Sequence, residues 1–147
     1  ELSVNSTTEN LKNIRDFNRF YTDFLGSLNK KILNSRFSLP EARVLFEINN
    51  IANCTAKDIV NALNIDKSYL SRILKNFYKK KLIIKKRSAE DARNFYILLT
   101  DLGKNELNIL ESDVNGRISI LYSGLTEKER SLIEQSMHQI RQILADK

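Results

Sequence analysis

The chain has 147 residues, enough for one domain with a sizeable core and too few for two of typical size, and its 41% hydrophobic and 29% charged content is ordinary for a folded globular protein. One Pro and four Gly argue against long disordered linkers, and the lone Cys54 excludes an internal disulfide and a multi-cysteine zinc site. Nowhere do about 18 apolar residues run together, and ELSVNSTTEN lacks the basic and apolar stretches of a secretory signal, so the expectation is a cytoplasmic protein without membrane contact.

The apolar residues Leu11, Ile14, Phe17, Phe20, Tyr21, Phe24, Leu25, Leu28, Ile32 and Leu33 recur at steps of three and four, which predicts a long amphipathic helix over residues 8–34. In SLPEARVLFEI, Ser38 and Glu41 stand at capping-box spacing, with Pro40 in a first turn that does not need its missing N–H. A second helix therefore starts at Ser38 or Leu39 and buries Val44, Leu45 and Ile48. Thr55 and Asp58 repeat the cap and open a short third helix through Ile59, Val60 and Leu63.

Asn64 and Ile65 then leave room for a tight turn before Asp66, a good N-cap, so the third and fourth helices have helix-turn-helix spacing. At about 100° per residue, Leu70, Ile73, Leu74, Phe77 and Lys81 share one side of the fourth helix, while Ser68, Arg72, Lys75 and Lys79 share the other. After Leu82 the period moves toward two, with Phe95, Ile97 and Leu99 alternating against Tyr96 and Leu98. This predicts a hairpin with Ser88 to Asn94 as its loop. Asp101 to about Tyr122 is helical again. A last helix opens on a cap at Thr126 and carries Leu132, Ile133, Met137, Ile140, Ile143 and Leu144.

The fold class is thus mainly α with a small β-hairpin wing: residues 38–100 form a winged helix-turn-helix, and residues 8–34 and 101–145 form long helices within one domain. The winged unit offers limited surface to cover those helices, so a second copy of the chain is expected against them as a homodimer.

Charge is concentrated in this winged unit. Between Lys67 and Arg93, seven Lys and three Arg against Glu90 and Asp91 give +8, whereas the whole chain carries +6. A local positive field is what a phosphate backbone requires.

YLSRILKNFYKKKLI followed by DARNFYILLTDLG resembles the MarR family of winged helix-turn-helix regulators over essentially the whole chain. The family's wing signature, Asp-x-Arg, then Leu-Thr and a Gly three residues after the Thr, is met by Asp91, Arg93, Leu99, Thr100 and Gly103. IRDFNRFYTDFLG, SRFSLPEARVLFEI and YLSRIL are more narrowly similar to MarR domains fused ahead of a GNAT-type acetyltransferase domain. Relatives usually carry Gly where this chain has Asn64 and Lys81, and often Gly in place of Ala92. Asn tolerates positive φ at little cost, whereas Lys81 leaves the path into the wing undetermined.

In a helix-turn-helix the second helix enters the major groove of double-stranded DNA, so Lys67, Ser68, Tyr69, Ser71, Arg72, Lys75 and Lys79 are the candidate contacts. Arg72 is suited to bidentate contact with guanine. The resemblance implies that Arg93 enters a minor groove with Asp91 holding its guanidinium, and that Lys85, Lys86 and Arg87 track phosphates. The bland alternatives are a solvated basic helix face and an exposed turn ion pair. The resemblance further implies a repressor responsive to a small aromatic or anionic effector; the alternative is the N-terminal part of an acetyltransferase.

Phe17, Phe20, Tyr21 and Phe24 with Arg15 and Arg19 could line an effector pocket, although a helical aromatic stripe is more often plain core. Cys54 lies beside the Thr55 cap, where a helix dipole could lower its pKa; a small buried thiol is the competing reading. His138 has no second ligand at metal spacing, and one His with one Cys assembles no acyl- or phosphoryl-transfer site. No cofactor and no enzymatic activity are expected.

Overall fold

The computed structural model describes residues 2–32 and 36–145, which form α1 (Leu2–Ile32), α2 (Leu39–Asn50), α3 (Ala56–Leu63), α4 (Lys67–Lys79), β1 (Ile83–Arg87), β2 (Phe95–Leu99), α5 (Asp101–Tyr122) and α6 (Glu127–Ala145). They fall into two compact units, residues 1–111 and 112–147, with the boundary inside α5.

Helix α1 begins at Leu2, six residues before the expected Thr8, because nothing between Leu2 and Thr7 is a Pro or Gly that would stop it. Its expected last residues, Leu33 and Asn34, lie outside the described residues. Ser38 caps α2 as expected, its hydroxyl accepting from the Glu41 N–H at 3.3 Å. At Thr55 the capping box is complete: the Thr55 hydroxyl accepts from the Asp58 N–H, and the Asp58 carboxylate accepts from the Thr55 N–H at 2.9 Å and its hydroxyl at 2.8 Å. Those bonds hold the Asp58 pKa below the usual carboxylate range. Asn64 takes the left-handed conformation, φ 48°, which turns the chain from α3 toward Asp66, the cap of α4.

Leu70, Ile73, Leu74 and Phe77 are the buried face of α4, as its helical phase predicts. Lys81 departs from that phase. The helix ends at Lys79 and Lys81 is exposed with φ 59°, so it does not share the inner side. Its N–H donates to the Tyr78 carbonyl and the Leu82 N–H to the Phe77 carbonyl, both at 3.0 Å. This is a Schellman ending with Lys in the place that favours Gly, and buried Leu82 follows it into the wing.

Strands β1 and β2 pair antiparallel, from Ile83 opposite Leu99 to Arg87 opposite Phe95. Ile97 and Leu99 point into the core, and the Ile97 N–H reaches across to the Cys54 carbonyl at 2.7 Å, tying the wing to the loop before α3. Phe95 continues the alternation but remains 42% exposed, since the core ends before the wing tip. One contiguous core runs from Val44, Leu45 and Ile59 through Leu70 and Phe77 to Ile83, Leu107 and Leu110. Phe37, ahead of α2, joins it by meeting the Phe77 ring edge-on with centroids 6.1 Å apart.

Helix α5 starts where Thr100 accepts a hydrogen bond from the Gly103 N–H at 3.0 Å. A Cβ on Gly103 would collide with the Leu82 carbonyl oxygen, which is why Gly stands there. In residues 112–147, α6 opens on a reciprocal box between Thr126 and Glu129, as its spacing predicts. None of its residues is buried: Leu132 is 62% and Leu144 68% exposed. On α1, Ile14 and Phe20 are likewise exposed.

Candidate nucleic-acid interface

Helix α4 carries Lys67, Ser68, Tyr69, Ser71, Arg72, Lys75 and Lys79, and all of them are exposed. The turn before Asp66 and the burial of Leu70, Ile73, Leu74 and Phe77 leave these side chains no inward option. The Arg72 guanidinium lies over the Tyr69 ring, 5.5 Å from its centroid, one helical turn away. A stacked guanidinium keeps its edge free for bidentate hydrogen bonding, the geometry a guanine edge accepts.

On the wing, Lys85, Lys86 and Arg87 are exposed along β1. Arg87 lies over the Phe95 ring at 5.5 Å, and the Lys85 ammonium lies over the Tyr78 ring at 5.0 Å. The wing loop is organised by Ser88, the one buried polar residue among those described. Its hydroxyl bonds the Tyr96 hydroxyl at 3.0 Å and accepts from the N–H groups of Glu90 and Asp91.

Asp91 and Arg93 are brought together, but not as expected. Asp91 Oδ1 accepts from the backbone N–H of Arg93 at 3.0 Å, and no ion pair joins their side chains among the described residues. The carboxylate is taken up in an Asx turn that shapes the loop, and the exposed Arg93 side chain is left unpaired by Asp91.

Between α3, α4 and the wing lies an open groove of about 960 Å³. Lys57, Lys67, Lys75, Lys85 and Arg93 line it together with Tyr78, Phe95 and Ile97, and no carboxylate does. The parts played here by Lys57 and Tyr78 are not visible in the sequence pattern of α4. Lys57 sits one helix earlier, and Tyr78 falls at the margin of the buried face.

The aromatic stripe of α1 is stacked on itself, Phe17 on Tyr21 at 5.6 Å and Tyr21 on Phe24 at 6.1 Å, with Phe17 48% and Phe20 64% exposed. Arg19 pairs with Asp16 at 3.8 Å. Tyr21 and Phe24 are half-buried, so the stripe is only partly covered within the described residues. The Cys54 thiol is fully buried, and desolvation, with Asp58 and Glu47 nearby, pushes its pKa from 9.0 up to about 11. This is the small buried thiol of the competing reading, and its pKa moves up rather than down. Among the described residues, no cluster of His, Cys, Asp and Glu could hold a metal ion, and no helix is long and apolar enough to cross a membrane.

A helix-turn-helix followed by a two-stranded wing, with a cationic face shared by the second helix and the wing, defines a winged helix-turn-helix protein. Residues 37–95 match the model of the MarR family, and the architecture matches the winged-helix fold of solved MarR family structures. The transcriptional regulator SarZ of Staphylococcus epidermidis is 30% identical over 91 residues, 62% of this chain and 61% of SarZ, so the match spans less than two thirds of that relative. A MarR family protein from Bacillus stearothermophilus superposes with a TM-score of 0.83 at 13% identity, covering 94% of this chain and 97% of its own. A mutant of S. aureus MepR bound to an oligodeoxyribonucleotide gives 0.61 at 22% identity, covering 87% and 94%.

Proposed function

We propose that the protein is a MarR-family transcriptional regulator that binds double-stranded DNA sequence-specifically as a homodimer. Each subunit lays residues 67–79 in a major groove and Arg93 in a flanking minor groove, over a pseudo-palindromic site with half-sites about one helical turn apart. The observation that carries this reading is the set of cations from α3, α4 and the wing that line one groove with no carboxylate among them. Lys85, Lys86 and Arg87 serve as phosphate contacts, and Ser68, Tyr69, Ser71 and Arg72 face the base edges. The oligodeoxyribonucleotide bound by MepR supports the same use of the fold.

The apolar faces left exposed on α1 and α6 support helices 8–34 and 101–145 as the dimer interface. The reading extends to a repressor whose DNA affinity falls when a small aromatic or anionic effector binds beside Phe17, Phe20, Tyr21, Phe24, Arg15 and Arg19. Such a ligand acts only by preferring one spacing of the two recognition helices over another. The rival reading, a DNA-binding part of a GNAT-type acetyltransferase, is decided by the gene sequence past Lys147.

Titrating a labelled duplex with the protein at two salt concentrations tests the reading. Binding that weakens steeply as salt rises is expected, and binding indifferent to salt overturns the electrostatic account.

A further inference from the structure

Lys57 stands on the first turn of α3, outside the outward face of α4 and outside the wing, yet it lines the same groove as Lys75 and Lys85. Three elements thus bring lysines to the lining of one groove. The neighbouring Asp58 carboxylate feels the Lys57 charge but makes no salt bridge with it among the described residues, its hydrogen bonds going to the Thr55 N–H and hydroxyl. Leu70, Leu74 and Ile97 supply an apolar floor, which strengthens charge interactions above it. Tyr78 completes the floor. Its ring lies beneath the Lys85 ammonium at 5.0 Å, and its hydroxyl is buried without a hydrogen-bond partner among the described residues, so the part it plays is that of the ring.

We propose that this groove seats the phosphodiester backbone of the duplex strand as it passes from α4 to the wing, with Lys57, Lys75 and Lys85 as its cations and Tyr78 as the residue that positions Lys85. The proposal rests on the duplex-binding reading above. A phosphate in the groove meets cations whose counterions are released on contact, and each such contact adds to the salt dependence of binding. A lysine is a point charge on a flexible stem, and the negative face of an aromatic ring narrows the positions its ammonium visits before the strand arrives. Phe at position 78 would serve equally; Leu, which lacks the quadrupole, would not.

The test uses the full chain and a mixed-sequence duplex of about 30 base pairs, because a backbone contact needs no operator. Dissociation constants are measured across a salt series. Lys57→Ala, at an exposed position, is expected to reduce the slope of log Kd against log salt by about 0.9 per bound subunit. Tyr78→Phe should bind as the parent does, and Tyr78→Leu should weaken binding about threefold or more, but only while Lys85 is present. A parent slope that is steep and unchanged in Lys57→Ala would overturn the seating and leave duplex binding intact. An equal penalty for Tyr78→Leu with and without Lys85 would overturn the positioning role. A parent that does not bind the duplex overturns both readings.

Discussion

The hydroxyl of Thr100 lies 2.7 Å from the carbonyl oxygen of Lys81 and ties the end of α4 to the start of α5. The Thr100 hydroxyl oxygen in turn accepts from the Gly103 N–H at 3.0 Å, so one side chain ties off the turn after α4 and caps α5. The Leu-Thr-x-x-Gly signature thereby acquires a physical meaning: Leu99 packs, Thr100 bonds both ways, and Gly103 clears the Leu82 carbonyl.

Lys81 holds φ 59° in this joint, a conformation that costs a β-carbon residue about 1–2 kcal/mol. Lys81→Gly relieves that cost and loses part of it to the flexibility of the unfolded chain. The expected outcome is a gain of about 0.5–1 kcal/mol in urea unfolding. A loss would mean that the Lys81 side chain contributes a contact that outweighs the backbone.

Arg93→Ala is expected to weaken duplex binding at least about tenfold in moderate salt, as removal of a minor-groove arginine should. Asp91 separates two accounts of the wing. An Asx turn needs only an acceptor at Oδ1, so Asp91→Asn should bind as the parent does and Asp91→Ala should bind less well. Were the carboxylate holding the Arg93 guanidinium by charge, Asn would fail as badly as Ala. Competition binding with the three proteins decides it.

Cys54 has its pKa raised to about 11 by burial, with Asp58 and Glu47 adding to the rise. The folded state therefore keeps a proton that the unfolded chain loses above its ordinary pKa of 9.0. This contribution to stability is complete below that value and is lost as pH rises through the folded pKa. The stability difference between the parent and Cys54→Ala, read from urea midpoints, should hold steady from about pH 6 to 8 and shift against the parent from about pH 9 to 11. A thiol alkylated as fast in the native protein as in urea would contradict the buried, protonated state.

Association is tested by the exposed apolar residues. Light scattering should return twice the 17.0 kDa chain mass. Leu132→Asp, at a position 62% exposed on α6, should lower that mass toward one chain while leaving helical content unchanged. A monomeric parent would remove the dimer from the account, and with it the paired half-sites.

Most of the fold was legible because it is written in local signals. Ser38, Thr55, Asp66 and Thr126 each satisfy helix N–H groups from within the first turn, so spacing alone locates them, and the phase of Leu70, Ile73, Leu74 and Phe77 orients α4. Helical phase misplaces Lys81 because it says nothing once the chain turns left-handed. Spacing does not choose the partner of Asp91, because a carboxylate two residues from an Arg can bond the backbone as readily as the guanidinium. The groove lined by Lys57 and Tyr78 depends on how far α3 stands from the wing, a tertiary distance with no counterpart in spacing.

In the proposed function α4 and the wing read a DNA sequence. The most direct test is selection of bound duplexes from a random pool, followed by sequencing. The account predicts enrichment of a pseudo-palindrome whose halves are centred about one helical turn apart. A bound pool as random as the starting one would contradict it.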